Sequence, residues 1–577
     1  MRYAKRFHIF VFTLQRQTTE TCSLKNIWAV AVVKSYFELV KTSFHAFYGV
    51  GYSLFAPVVL PFFINIQTFT KMSFNSMLRE QNEPKNHEGA KAYVMSPELE
   101  LYTAVVATAL SNNFYEDKSG RISRIADLVR KVPHEFTAKL AVYARNEMNL
   151  RSVPLLLIVE LAKIHSGDNL VARTVEKCVR RADEIMELLM CYQFRNADKT
   201  SRKKLNRLSR QIQNGLQKAF NNFDEYQFAK YDRDNLEVKL RDALFLIHPK
   251  AKDEAQQLIF NKIADRKLET PYTWETELSA LGQQKFISDE HKTEAFRQKW
   301  EELILSGKVG YMALLRNLRN ILQSNVSAEK VNIVASVLSN AEQVAKSKQL
   351  PFRFLSAYRE LQKIDSPDTP FLMSALELAV KHSAANIAGF DQDTSVLLAC
   401  DVSGSMRQPV SHKSTVQCYD IGLMLAMLLK SRCRRVISGI FGENWKKVNL
   451  PDNILQSTSE LRNLEGKVGY STNGYKVVDY LIDKKLILDK VMFFTDCQMY
   501  DSTRKSNSLE KSWNRYRQLA PNAKLYIFDL AGYGHSPLRM LNSDVYIIAG
   551  WSDKVFDVLA ALDKGETAVE MIMKGEG

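Results

Sequence analysis

The stretch Asp401-Val402-Ser403-Gly404-Ser405 places one carboxylate and two hydroxyls within five residues. It follows TSVLLACD, an apolar run that predicts a buried strand ending at Asp401. Two further oxygen-bearing loops stand downstream. Ser471-Thr472-Asn473 precedes a predicted helix, and Thr495-Asp496 closes the predicted strand DKVMFFTD. All of these side chains offer oxygen. A hard divalent cation such as Mg²⁺ takes oxygen ligands in near-octahedral order and keeps some waters. Three such loops on one sheet edge can complete a site of that kind, whereas a plain turn would use the same residues only to cap the next helix.

Covalent catalysis is poorly served by the same residues. A serine nucleophile needs a base within hydrogen-bond reach. His412 and His535 are the only histidines after residue 390, and there is no G-x-S-x-G elbow. H-E-x-x-H, Walker and G-x-G-x-x-G patterns are also missing. A ligand carboxylate or phosphate could complete the shell of a cation held there, and the protein is not expected to be an enzyme.

A second constellation carries charge. The chain has 577 residues and a net charge of +15, from 79 Lys+Arg against 64 Asp+Glu. Between Arg195 and Lys218 there are eight basic residues and one acid, while the rest of 72–390 is close to neutral. On a helical projection Leu205, Leu208, Ile212, Leu216 and Ala219 form an apolar stripe. Lys203, Arg207, Arg210 and Lys218 fall on the opposite face. With so little acid to pair them, four such cations suit the phosphates of a nucleic acid. A solvated face is the plainer alternative. Arg316 and Arg319 in LLRNLRN are weaker candidates, three apart on one helix and equally suited to an interhelical ion pair.

These residues need a scaffold, and the chain supplies two kinds. From Ser96 to about Ala385, apolar residues recur at spacings of three and four, as in HEFTAKLAVYARNEM, VPLLLIVELAKIH and EKVNIVASVLSNAEQVAK. This predicts stacked antiparallel helical pairs. From Thr394, strands alternate with helices, which predicts an α/β domain with a mostly parallel, doubly wound sheet. In such a sheet ligands sit beyond the carboxyl ends of the strands, where Asp401 and Asp496 fall. The expected domains are an extension over 1–71, a helical module over 72–389 and an α/β domain over 390–577.

The three oxygen loops resemble the metal-ion-dependent adhesion site (MIDAS) of von Willebrand factor A domains. The resemblance implies Asp401, Ser403, Ser405 and Thr472 as ligands, with Asp496 binding directly or through water, and Mg²⁺ as the cofactor, with Mn²⁺ as a substitute. Asn473 stands where some relatives carry Asp. A long helical module before such a domain resembles the Ro ribonucleoprotein autoantigen family, known by its TROVE module. The residues that carry this are GLQKAF at 215–220, YMALLRNLRN at 311–320, QLPFRFLSAYREL at 349–361 and VLLACDVSGSM at 396–406. It implies a ring of HEAT-like helical repeats closed by the A domain. It also implies binding of small noncoding Y RNAs and of the single-stranded 3′ ends of misfolded RNAs, as in RNA quality control. In bacterial members an exoribonuclease is tethered through the RNA. Lys218 matches a basic position in the RNA-contacting part of that family. A monomer is expected, with an acidic protein as a further ligand for the metal site. The competing reading is a metal-dependent protein-interaction scaffold with no RNA role.

Residues 1–71 have no counterpart in that resemblance. Thr42–Thr70 holds no Asp, Glu, Lys or Arg, and FYGVGYSLFAPVVLPFFINI is long enough to span a bilayer. Gly49, Gly51, Pro57 and Pro61 are poor for a continuous helix. The stretch therefore reads as translated from a misplaced start ahead of Met72 rather than as a membrane anchor. Seven cysteines without a C-x-x-C pair fit reduced thiols and a cytoplasmic location.

Overall fold

The computed structural model describes residues 84–107, 115–196, 208–233, 235–383, 393–410, 414–539, 544–552 and 554–575. All of them fall in one compact unit, Ser73–Gly577. A short strand β1 (Tyr93–Val94) leads into α1 (Pro97–Val106), α2 (Lys118–Val129), α3 (His134–Asn146), α4 (Ser152–Ile164), α5 (Leu170–Cys178), α6 (Asp183–Asn196) and α7 (Arg210–Ala219). There follow α8 (Glu225–Tyr231), α9 (Leu240–Ile247), α10 (Glu254–Asp265), α11 (Trp274–Gly282), α12 (Asp289–Leu305) and α13 (Tyr311–Gln323). The helical part ends with α14 (Ala328–Ser339), α15 (Ala341–Ser347), α16 (Pro351–Leu361) and α17 (Thr369–Ser383).

Local chemistry sets many of these boundaries. Ser96 caps α1 by accepting from Leu99 N at 3.3 Å, and Asp117 caps α2 by accepting from Gly120 N at 2.7 Å. Helix α4 is apolar almost all round and is buried from Val153 to Leu161, because α2, α3, α5 and α6 all pack on it. The segment EKVNIVASVLSNAEQVAK, expected as one helix, is two. Asn340 ends α14 in an extended conformation, and its side chain caps α15 through Gln343 N.

The α/β part runs β2 (Ser395–Asp401), α18 (Cys418–Lys430), β3 (Arg435–Phe441), β4 (Trp445–Lys447), α19 (Ile454–Asn463) and α20 (Tyr475–Asp483). It continues with β5 (Lys490–Thr495), α21 (Leu509–Leu519), β6 (Lys524–Asp529), β7 (His535–Ser536), β8 (Val545–Ala549), α22 (Val555–Asp563) and α23 (Ala568–Lys574). The six-stranded sheet has the order β4-β3-β2-β5-β6-β8. Every pair is parallel except the edge hairpin β3–β4. The predicted α/β alternation is therefore present. Helices α19 and α23 were not anticipated, since ILQSTSELRN and AVEMIMK lack a long apolar period. Strand β5 stops at Thr495, one residue before Asp496.

The α/β part meets both ends of the helical stretch. At the first end β1 pairs with β7, Tyr102 Oη of α1 donates to Ala549 O at 3.1 Å, and α23 packs on α1 and α3. Gly532, in the turn after β6, has φ +64°, and a Cβ there would lie 2.5 Å from Thr103 O of α1. At the second end α16 packs on α18, and α17 on α19. Glu377 of α17 accepts from Ile454 N and Gln456 N, capping α19 across the junction. Among the described residues no helix is long and apolar enough to cross a membrane.

Candidate metal centre and nucleic-acid interface

Adjacent strands β2 and β5 end at the same sheet edge, with Cys400 opposite Phe494. That register brings together the loops holding Asp401 and Asp496. Asp401 Oδ1 accepts from Ser403 N at 2.9 Å, and its Oδ2 accepts from Thr495 Oγ1 at 2.6 Å. Ser403 Oγ and Ser405 Oγ are 3.4 Å apart. The 472 loop is tied in by Gly404 N donating to Tyr470 O and Tyr500 N donating to Thr472 O. Asp496 Oδ1 accepts from Gln498 N at 3.1 Å, while its Oδ2 is buried with no hydrogen-bond partner. The sequence-predicted set Asp401, Ser403, Ser405, Thr472 and Asp496 therefore lies on connected loops at one edge, and none of the five is more than 5% exposed.

Both carboxyls are electrostatically perturbed. Burial raises the Asp401 carboxyl above the usual carboxylate range. Burial, and then the charge of Asp401, raises Asp496 as well. Among the described residues neither makes an ion pair with a cationic side chain. Two carboxylates are thus buried close together and one has an oxygen without a hydrogen-bond partner, an arrangement that either a proton or a bound cation would relieve. Among the described residues no three His, Cys, Asp or Glu side chains form a metal-binding group. A cation here would rest on two carboxylates and three hydroxyls, a set that fits hard Mg²⁺ or Mn²⁺ rather than a soft metal. Sequence reasoning missed Asp529 at the end of β6, two strands from Asp401. Burial pushes its carboxyl up to about 6, and its Oδ2 is also unpartnered. Only the order of the strands, which no local spacing reveals, brings it near.

The charge block folds differently from the expectation. Helix α7 begins at Arg210. Ser209 before it has φ −54° and ψ 129°, so a helix from Lys203 is not continuous into α7. Lys203, Leu205 and Arg207 lie outside the described residues. The expected stripe of Ile212, Leu216 and Ala219 is fully buried, and Leu208 packs on the core at its edge. Arg210 is exposed and donates to Gln213 Oε1. Lys218 is not without an acid: Glu176 of α5 stands 2.9 Å from its Nζ. That pair is exposed at both ends and holds the lysine only weakly. Arg319 pairs with Glu360 at 3.4 Å, the interhelical alternative, and Arg316 is exposed beside Arg353.

Around Lys218 the structure forms a groove of about 530 Å³ that the sequence did not disclose. Arg173 of α5, Lys218 of α7 and Lys250 after α9 line it, with the amides of Asn169, Asn214, Gln217 and Asn221 between them. Arg173 and Lys250 are exposed and make no ion pair among the described residues. The three cations are 32 to 77 residues apart in sequence. The packing of α5 on α7, across Gly215, joins Arg173 to Lys218, and Asn221 Nδ2, donating to Lys250 O at 2.9 Å, brings in the third cation.

The TROVE domain family matches residues 91–266 and 264–388, just over half of the chain. The chain belongs to the TROVE family. Its curated relatives include telomerase protein component 1 of Mus musculus, 23% identical over 350 residues, which is 46% of this chain. The Rattus norvegicus protein of the same name is 39% identical over 100 residues, 17% of this chain. The chain's matched parts span only 13% and 3% of those two relatives. Among solved structures, the Deinococcus radiodurans RO (RSR) protein matches with a TM-score of 0.51 at 17% identity. The match covers 82% of this chain and all of that one, and it shows a shared fold.

Proposed function

We propose that this TROVE protein is the RNA-binding component of a ribonucleoprotein, holding small noncoding, Y-like RNA and the single-stranded ends of misfolded RNA, without catalysis of its own. The observation that carries the reading is the groove of Arg173, Lys218 and Lys250. Three cations with neutral amides between them suit a sugar–phosphate backbone, whose charge dominates affinity for RNA. The amides add donors and acceptors for phosphate, ribose or base edges. On this reading the α/β part is a von Willebrand factor A-like domain. Asp401, Ser403, Ser405, Thr472 and Asp496 would hold Mg²⁺ or Mn²⁺, which supplies the charge that the two buried carboxylates lack.

A labelled RNA with a single-stranded 3′ tail, titrated at several salt concentrations, tests the RNA reading. Each phosphate contact contributes about 0.7 to the slope of log affinity against log salt for single strands. Replacing Arg173, Lys218 and Lys250 together with Gln should weaken binding and flatten the slope by about 2. An unchanged slope and affinity would remove the groove as the RNA face. The scaffold reading is favoured instead if protein purified at low salt carries no nuclease-sensitive absorbance at 260 nm.

A further inference from the structure

Residues 86–94 cross the outer loop of the candidate metal centre as a strap. Asn86 Nδ2 donates to Met499 O at 2.9 Å, and His87 N donates to Gln498 Oε1 at 2.8 Å, two residues from Asp496. Asn86 Oδ1 accepts from Glu88 N and Ala90 N, which fixes the turn that presents Glu88. Downstream the strap is pinned by the β1–β7 pairing and by Tyr93 Oη donating to Glu510 Oε2 at 2.7 Å. Aromatic rings close the space between strap and site. Tyr115 stacks on His87 at 4.9 Å, and Tyr533 meets both edge-on at 5.3 and 5.5 Å. Tyr533 Oη also accepts from Gln408 Nε2. The Tyr115 hydroxyl bonds to Glu88 Oε1 and also interacts with the hydroxyl of Ser405.

An adhesion site waiting for a foreign acidic partner needs its hydroxyls open to solvent. Here Ser403, Ser405 and Thr472 are all buried, under residues of the same chain. We infer that Glu88 supplies, from within this chain, the carboxylate that completes the metal centre, so that the strap and not a separate acidic protein occupies the site. The inference rests on the metal reading above.

The Tyr115 hydroxyl interacts with both the Glu88 carboxylate and the Ser405 hydroxyl, so it links the strap to the candidate site. Glu88 is exposed, so its carboxylate can exchange the Tyr115 hydroxyl for a cation without unpacking the core. Metal binding would then fasten the start of the helical module to the sheet edge.

The test is calorimetry of the full chain with Mn²⁺, together with amide exchange of residues 86–94 with and without Mn²⁺. The wild type should bind, and Mn²⁺ should slow exchange in the strap. Asp401→Ala should abolish binding. Glu88→Gln should lower affinity about tenfold, since ligand charge sets affinity at such sites, and should abolish the effect on exchange. Wild-type affinity in Glu88→Gln, with Mn²⁺ leaving strap exchange untouched, overturns the inference and leaves the metal reading standing. A wild type that binds no Mn²⁺ overturns both.

Discussion

Asn473 shows how a residue next to a metal centre can be structural. It follows Thr472, where an aspartate would add charge, but its amide is fully engaged. Nδ2 donates to Glu443 O at 2.9 Å and contacts Ser502 Oγ at 2.7 Å, while Oδ1 accepts from Ser502 N at 2.9 Å. The residue is fully buried. Aspartate has the same shape but only acceptors, so the Glu443 carbonyl would face a carboxylate oxygen. Asn473→Asp should cost about 1–3 kcal/mol, read as a lower urea midpoint, without tighter Mn²⁺ binding. Tighter binding at unchanged stability would make position 473 a ligand position. At this scale the sequence was informative where chemistry is local. Asp401, Ser403 and Ser405 are legible because an apolar strand stops at an acid and the hydroxyls follow at fixed spacing. Glu88, Tyr115 and Asp529 were not, because they approach the site from more than 90 residues away in the chain or across two strands.

At the scale of elements the decisive contact is α5 against α7. Gly215 sits where the two helices touch, and a Cβ there would lie 2.5 Å from Val175 Cβ and 2.7 Å from Ala172 O. Alanine gains up to about 1 kcal/mol of helix propensity over glycine. Overpacking of this kind costs about 1–3 kcal/mol, and the backbone oxygen cannot rotate away. Gly215→Ala should therefore destabilise the protein on balance and push Lys218 away from Arg173. The expected result is a lower urea midpoint together with weaker RNA binding; a midpoint equal to or above wild type would show that the helices separate freely. The same pair explains what the hydrophobic pattern could and could not give. Its 3.6-residue period located Ile212, Leu216 and Ala219 as the buried stripe. It gave no sign that the helix starts at Arg210, because basic residues and leucines continue the pattern upstream of Ser209. Nor could it show that Glu176, 42 residues earlier, would face Lys218.

At the scale of the molecule, the α/β part is anchored at both ends of the helical stretch, and the second anchor includes one buried ion pair. Arg359 of α16 donates from both terminal nitrogens to Asp420 of α18, at 2.8 and 2.5 Å. Asp420 is fully buried, and it also accepts from Gln417 N at the start of its own helix. Arg462 stands 3.9 Å away, too far to replace the bidentate contact. Removing the arginine leaves a buried carboxylate largely uncompensated, which costs about 3–5 kcal/mol, whereas replacing both partners with apolar residues of similar size can be nearly neutral. Arg359→Met should therefore lower the urea midpoint strongly. Arg359→Met with Asp420→Leu should recover much of the loss, less about 1 kcal/mol for the cap that Asp420 gives α18. If the single variant is as stable as wild type, the pair contributes nothing to holding α16 on the sheet domain. The closure must then rest on apolar packing and on the Glu377 cap of α19.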